Sequence, residues 1–192
     1  MSAKRLTQLV DLLLNLSRIE GGRVTVTPEP VEAVGFVRSY LDECAPLFEK
    51  KKLELVFTEH PAELTAVTDK SSLRNIVQSL VSNAIEYTLP GGTVEVAIKK
   101  ESGTFTMQVR DTGVGIPKAE QSHIFEKFMR ASNAKLYKTD GTGIGLYIAE
   151  RATKLLGGKI WFESEENKGS TFHVELPLET KAPQPPHENG EA

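Results

Sequence analysis

Cysteine is almost absent from these 192 residues, with Cys44 the only one. That excludes an internal disulfide framework and suits a reducing compartment, so the expected location is the cytoplasm. Its apolar neighbours read as the surroundings of a buried structural thiol in preference to a nucleophile. Long hydrophobic runs are missing too. The most apolar stretch, Leu9 to Leu16, is broken by Asp11 and Asn15 and falls well short of the roughly 20 residues that a bilayer span needs. No signal peptide precedes it, so no membrane segment is expected in this chain, while a membrane anchor on the complete protein is left open. Nor does one sign of charge dominate: 23 Lys+Arg stand against 26 Asp+Glu, a formal net charge of -3. Neither a nucleic-acid footprint nor a basic membrane-surface patch is present. Any ligand is therefore recognised in a local site.

With 39% hydrophobic and 26% charged residues, the composition is that of one globular domain with room for an appendage. Residues 4 to 19 set Leu6, Leu9, Leu13 and Leu16 at spacings of three, four and three. This is the seam of a helix made to pair with another helix; docking onto its own domain is the other reading. Gly21 and Gly22 end that helix. A brief β-branched alternation at Val24 and Val26 follows, then a helix over 31–51 with Val34, Val37, Leu41, Cys44 and Phe48 on its core face. Strands are expected at 53–58 and 65–68, a helix at 70–88, and an antiparallel pair at 93–99 and 104–110 around Glu101-Ser102-Gly103. Thr112 to Gly145 reads as a long irregular connection, of the kind that is usually functional or disordered. A helix over 143–156, stopped by Gly157 and Gly158, leads to strands at 159–164 and 170–176. The tail from Glu179, with Pro183, Pro185 and Pro186 and no large apolar residue, is expected to be disordered. The resulting boundaries are 1–22, 23–178 and 179–192.

Three clusters carry chemistry. Asp111-Thr112-Gly113-Val114-Gly115 closes a strand; its glycines let backbone approach a flat ligand, and its carboxylate is a fixed acceptor for an exocyclic amino group. A plain Asp-Gly turn explains the same residues. Gly141-Thr142-Gly143-Ile144-Gly145-Leu146 runs into a helix, so free N–H groups and the positive helix end converge where a phosphate would sit; hinge glycines are the alternative. The helix at 70–88 puts Ser79, Asn83, Glu86 and Tyr87 on one stripe, about 100° from the core stripe of Leu73, Val77, Leu80 and Ala84. An amide oxygen at Asn83 suits Mg²⁺, and Tyr87 can close over a base; a solvated polar face accounts for the stripe equally well.

Taken together, in this order and separation, the clusters resemble the ATP-binding domain of two-component sensor histidine kinases. The wider family also holds heat-shock chaperone ATPases, mismatch-repair ATPases and gyrase-type topoisomerases. The resemblance runs from Leu6 to about Pro177: LRNIVQSLVSNAIEYT looks like the asparagine-bearing helix, DTGVGI the adenine turn, IFEKFMR the lid motif, GTGIGL the phosphate loop and GSTF the closing strand. RLTQLVDLLLNLSRIEGG is similar to the last helix of a dimerisation and phosphoacceptor domain. It implies an α/β (α+β) two-layer sandwich, a mixed and largely antiparallel sheet with helices on one face, plus the N-terminal helix. It implies that Asp111 accepts from the adenine amino group, that Asn83 ligates Mg²⁺, and that Gly113 and Gly115 form the adenine-side turn. Thr171 then assists the base through a water, and Gly141, Thr142, Gly143 and Gly145 line the phosphates. Arg130 contacts the γ-phosphate, a role its planar fork suits, while Tyr87, Ile116 and Leu146 make the apolar walls. Lys138 reaches phosphate or merely solvates the lid. Phe125 and Phe128 fit a lid that pins itself down, or a buried helical pair. His123, with no carboxylate partner evident, is read as structural.

Departures from the family pattern bear on mechanism. Ser79 stands where histidine kinases usually have a second asparagine and related ATPases a glutamate. A serine cannot act as general base near neutrality, which disfavours a self-contained ATPase. Glu86 stands where the family commonly has a lysine. The histidines are His60, His123, His173 and His187, none on the N-terminal helix, so autophosphorylation by this chain alone is not expected. The reading is a kinase domain that passes the γ-phosphate of ATP to a histidine on a separate or missing phosphoacceptor domain, in a protein that is a homodimer when complete and hands phosphate to a response regulator. The alternative is a non-catalytic nucleotide-binding or interaction module derived from a histidine kinase.

Overall fold

Three amphipathic helices laid over one sheet set the architecture of the computed structural model, which describes residues 25–137 and 141–180. The N-terminal seam of Leu6, Leu9, Leu13 and Leu16, the segment 1–22, Lys138 and the proline-rich tail lie outside the described residues. Strand β1 (Glu29–Glu32) leads directly into helix α1 (Ala33–Lys51). Glu32 is the hinge of that passage: its carboxylate accepts from Val34 N at 3.1 Å, Gly35 N at 2.5 Å and Leu64 N at 2.9 Å, so two orphan donors of the first turn are satisfied. Strands β2 (Glu54–His60) and β3 (Thr65–Thr68) follow, then helix α2 (Lys70–Tyr87). Asp69 caps α2. Burial opposes its charge, but donors from the Ser71 hydroxyl, Ser72 N and Thr27 N outweigh that and hold its carboxyl below the usual range.

The remaining elements are β4 (Thr93–Lys100), β5 (Thr104–Asp111), a 3-10 turn (Lys118–His123), a short α3 (Ala134–Tyr137), α4 (Gly145–Leu155), β6 (Lys159–Glu165) and β7 (Gly169–Pro177). Five strands form one sheet in the order β2-β4-β5-β7-β6, parallel only between β2 and β4. The mixed, largely antiparallel sheet expected from the sequence is therefore present. Strands β1 and β3 pair separately as a two-stranded ribbon. Alternation divides the large sheet cleanly: Val94, Val96, Ile98, Phe105, Met107, Val109, Phe172, Val174 and Leu176 are buried beneath the helices, each worth about 1.5–3 kcal/mol. The opposite face carries Gln108, Arg110, Thr171 and Trp161, whose ring stacks on His173 at 5.1 Å. The packed chain runs two residues past the expected boundary at 178, because Thr180 N donates to Val67 O at 2.8 Å and Thr180 is buried. Among the described residues no helix is long and apolar enough to cross a membrane.

The C-terminal turn of α2 has no basic residue of its own, yet all its carbonyls are satisfied. Ala84 O accepts from Thr88 N and the Thr88 hydroxyl, and Tyr87 O from Val114 N. The other three, Ile85 O, Glu86 O and Thr88 O, accept from the Lys51 ammonium at 2.7, 2.8 and 2.9 Å. A cation from the end of α1 thus caps the negative end of α2. Lys51→Met keeps the stem and removes the donor; a loss of about 2 kcal/mol in urea unfolding is expected, and an unchanged midpoint would show the cap to be idle.

Candidate nucleotide-binding site

Helix α2 presents the two stripes that its periodicity requires. Leu73, Val77, Leu80 and Ala84 are at most 3% exposed, while Ser79, Asn83, Glu86 and Tyr87 are half-buried. The second stripe meets loops at both ends. At Tyr87 it meets the Asp111 turn, through Val114 N to Tyr87 O at 3.2 Å. At Ser79 it meets the start of α4, where a side chain on Gly145 would reach the Ser79 hydroxyl at 3.9 Å.

Asp111 is the last residue of β5 and is 7% exposed. Burial pushes its carboxyl up to about 6, and N–H donors from Gly113 and Ser170 pull back only part of that rise. The Gly113 bond is 2.8 Å. Close backbone approach explains the glycines: a Cβ on Gly113 would lie 2.3 Å from Tyr87 O, and one on Gly115, at φ +62, 2.0 Å from Glu165 O. The turn is tied further by Asn167 N to Val114 O at 2.8 Å and by the Asn133 amide to Val114 O and Gly115 O. Ile116 packs beside it, and Leu146 opens α4; both are partly buried against the core.

The register sets Asp111 opposite Ser170, and Ser170 opposite Ser164. These three residues form a polar row closing one end of the sheet's inner face. Thr171 pairs with Arg110 and Glu163, so its side chain lies on the outer face, away from Asp111. The hydroxyl beside Asp111 is that of Ser170, which is 7% exposed. Sequence reasoning missed Ser170 although a signal existed: in Gly169-Ser170-Thr171-Phe172, an inward Phe172 puts Ser170 inward and Thr171 outward.

In the connection, Phe125 and Phe128 have different fates. Phe125 packs edge-on against Phe162 at 5.9 Å, whereas Phe128 has φ +63 and is 61% exposed. Neither lies in a helix, so the buried helical pair is not formed. His123 does have a carboxylate partner, Glu126, at 2.7 Å on the surface. The Arg130 guanidinium lies near the Tyr87 phenol and against Gly141, where a Cβ would meet it at 2.9 Å. Burial and the Glu86 carboxylate push the Tyr87 phenol upward, and Arg130 opposes them. Gly143, at φ +68, has no room for a side chain against the Phe128 and Met129 backbone. Ile144 N donates to the Thr142 hydroxyl at 3.4 Å, but no side chain caps α4 and no acidic residue sits in its first turn. Its leading N–H groups are therefore directed at a position suited to an anion.

Among the described residues no group of three or more His, Cys, Asp or Glu could hold a metal ion. Asn83, half-buried on the polar stripe, offers a neutral amide oxygen, a hard donor of the kind Mg²⁺ takes.

Comparison with known proteins agrees with this geometry. The model of the histidine kinase-, DNA gyrase B- and HSP90-like ATPase family matches residues 68–180. The circadian input-output histidine kinase CikA of Synechococcus elongatus is 32% identical over 93% of this chain and 24% of its own length. Sensor histidine kinase RppB of Synechocystis is 34% identical over 91% and 38%, and BarA of Escherichia coli 33% over 92% and 20%. The chain thus spans between a fifth and two fifths of these relatives. Full-length ShkA, solved in complex with AMPPNP, superposes with a TM-score of 0.79 at 28% identity, covering 93% of this chain and 37% of that one. The nucleotide-free catalytic domain of histidine kinase ThkA gives 0.71 at 26% identity, covering 80% and 97%. The chain belongs to the histidine kinase-, DNA gyrase B- and HSP90-like ATPase family, as the ATP-binding catalytic domain of a sensor histidine kinase.

Proposed function

We propose that the polar stripe of α2 is the floor of a Mg-ATP site whose γ-phosphate is transferred to a histidine of a separate phosphoacceptor domain. The observation that carries this reading is the pair of loops meeting one stripe. The Asp111 turn abuts Tyr87 and the start of α4 abuts Ser79, eight residues or about 12 Å of helix axis away, a span for an extended nucleotide and not for a lone phosphate. Asp111 and Ser170 receive the adenine edge, with Gly113 and Gly115 giving the base its backbone approach and Tyr87, Ile116 and Leu146 its walls. Gly141, Thr142, Gly143 and Gly145 line the phosphates.

Catalysis here is positioning and charge compensation. Arg130 offers a planar fork to the terminal phosphate, and the α4 amides hold the oxygens in line. Asn83 would hold Mg²⁺, which when bound screens the triphosphate charge. The acceptor imidazole nitrogen attacks the γ-phosphorus as the bond to the β-phosphate oxygen breaks and ADP leaves. The proton on that imidazole goes to a base outside the described residues. In the complete protein the N-terminal seam pairs with a second copy, the phosphohistidine passes its phosphoryl group to a response regulator, and the domain works in the cytoplasm.

Ser79 and Glu86 favour a second reading, a nucleotide-binding module without transfer. Titration calorimetry separates the two when followed by a transfer assay. Magnesium-dependent binding of ATP over GTP is expected, and then phosphohistidine on a phosphoacceptor domain supplied in trans. Binding without phosphohistidine on several competent acceptors would leave the module reading, and no binding would sink the site.

A further inference from the structure

The Ser164 hydroxyl makes three contacts. It accepts from Ile116 N at 2.9 Å, reaches the carbonyl of Gly169 at 3.0 Å and lies 2.9 Å from the Ser170 hydroxyl. A serine has one proton and two lone pairs. A carbonyl only accepts, so Ser164 gives its proton to Gly169 O, and Ile116 N–H takes one lone pair. The remaining lone pair is open to the proton of Ser170. The backbone around Ser164 is also held, because the Gln121 amide donates to both Ser164 O and Ile116 O at 3.0 Å.

We propose that Ser164 is a positioning residue that sets base selectivity: by taking the Ser170 proton it leaves Ser170 able only to accept, beside the Asp111 carboxylate. Two acceptors then face one edge of the ligand, directly or through a bound water. With both acceptors directed at position 6, such a row welcomes the two protons of adenine's exocyclic amino group and repels the carbonyl that replaces it in hypoxanthine or guanine. Without Ser164, the Ser170 proton is free to turn outward and greet a carbonyl. The inference rests on the nucleotide reading of the Asp111 turn.

The test is calorimetric titration of ATP and ITP, each with Mg²⁺, into the whole chain and three variants. The wild type is expected to prefer ATP, and S164A to lose about tenfold of that preference, partly by gaining ITP affinity. S170A and the S164A/S170A double variant are expected to share one ATP:ITP ratio, since Ser164 acts only through Ser170. A ratio unchanged in S164A overturns the proposal, as does a drop of equal size in the S170A background. An equal loss of both nucleotides in S164A would make Ser164 a structural prop only. If removing the hydroxyl prevents folding, Ser164→Cys keeps the volume with a thiol that accepts poorly, and the same ratio decides. A wild type that binds neither nucleotide overturns the site itself, a result distinct from an unchanged ratio.

Discussion

Asp111→Asn is expected to abolish ATP binding and, above pH 6, to make the nucleotide-free domain more stable relative to the wild type. The carboxyl sits at about 6 in the folded chain against an ordinary 3.8, chiefly because it is buried. Below pH 4 it is protonated in both folded and unfolded states and costs nothing. Between 4 and 6 the unfolded chain gives up its proton while the folded chain keeps it, so stability falls as pH rises. Above 6 the full cost, about 3 kcal/mol for roughly two pH units, is in place. An asparagine does not titrate, although its amide end faces a Gly113 or Ser170 N–H and gives back part of the gain. Urea unfolding of both proteins at pH 4 and 7.5 reads the difference: the variant's stability relative to the wild type should rise by about 2–3 kcal/mol between them. Asp69, whose shift runs the other way, is common to both proteins and cancels. Binding should move oppositely. Loss of a charged acceptor for the base is worth about a hundredfold or more in ATP affinity, and unchanged affinity would put the base elsewhere.

Arg130→Ala is expected to lower phosphoryl transfer to a phosphoacceptor domain by about a thousandfold, the scale of arginines that neutralise a transferring phosphate. Its guanidinium lies beside both Tyr87 and Gly141, the residues proposed for the base wall and the phosphate loop, and the role proposed for it is at the terminal phosphate. Lysine is a poor substitute because it offers a point charge in place of a fork. The rate constant should fall while KM for ATP changes only a few-fold, since most of the contact is made as charge develops. A raised KM with an intact rate constant would instead make Arg130 a support for Tyr87.

Much of this was legible in the residues, for physical reasons that also mark the limits. Helix α2 could be drawn in full because period 3.6 separates Leu73, Val77 and Leu80 from Ser79, Asn83 and Glu86, and both stripes lie where the period puts them. The strands of the large sheet were found within one or two residues, since each alternates as a one-sided strand must. Thr171, expected near the base, carries its side chain on the outer face, and in a strand one residue is a whole face. Partners that depend on tertiary approach left no local trace. Lys51 reads as one more lysine in Lys50-Lys51-Lys52, and only the fold brings it to the end of α2. Ser164 and Gln121 belong to the same class. Thr180 was assigned to the tail on composition, which cannot register a ladder partner as distant as Val67.

The two departures from the family pattern sit on the stripe of α2 that contributes nothing to the hydrophobic core. Serine at 79 and glutamate at 86 are therefore nearly neutral to folding, and the chain pays no structural penalty for carrying them. Kinship is written on one side of the rod, in leucines and valines, while competence is written on the other. Mutational drift can erase the second text without smudging the first, so lineage and working chemistry in such a domain have to be assayed as independent traits.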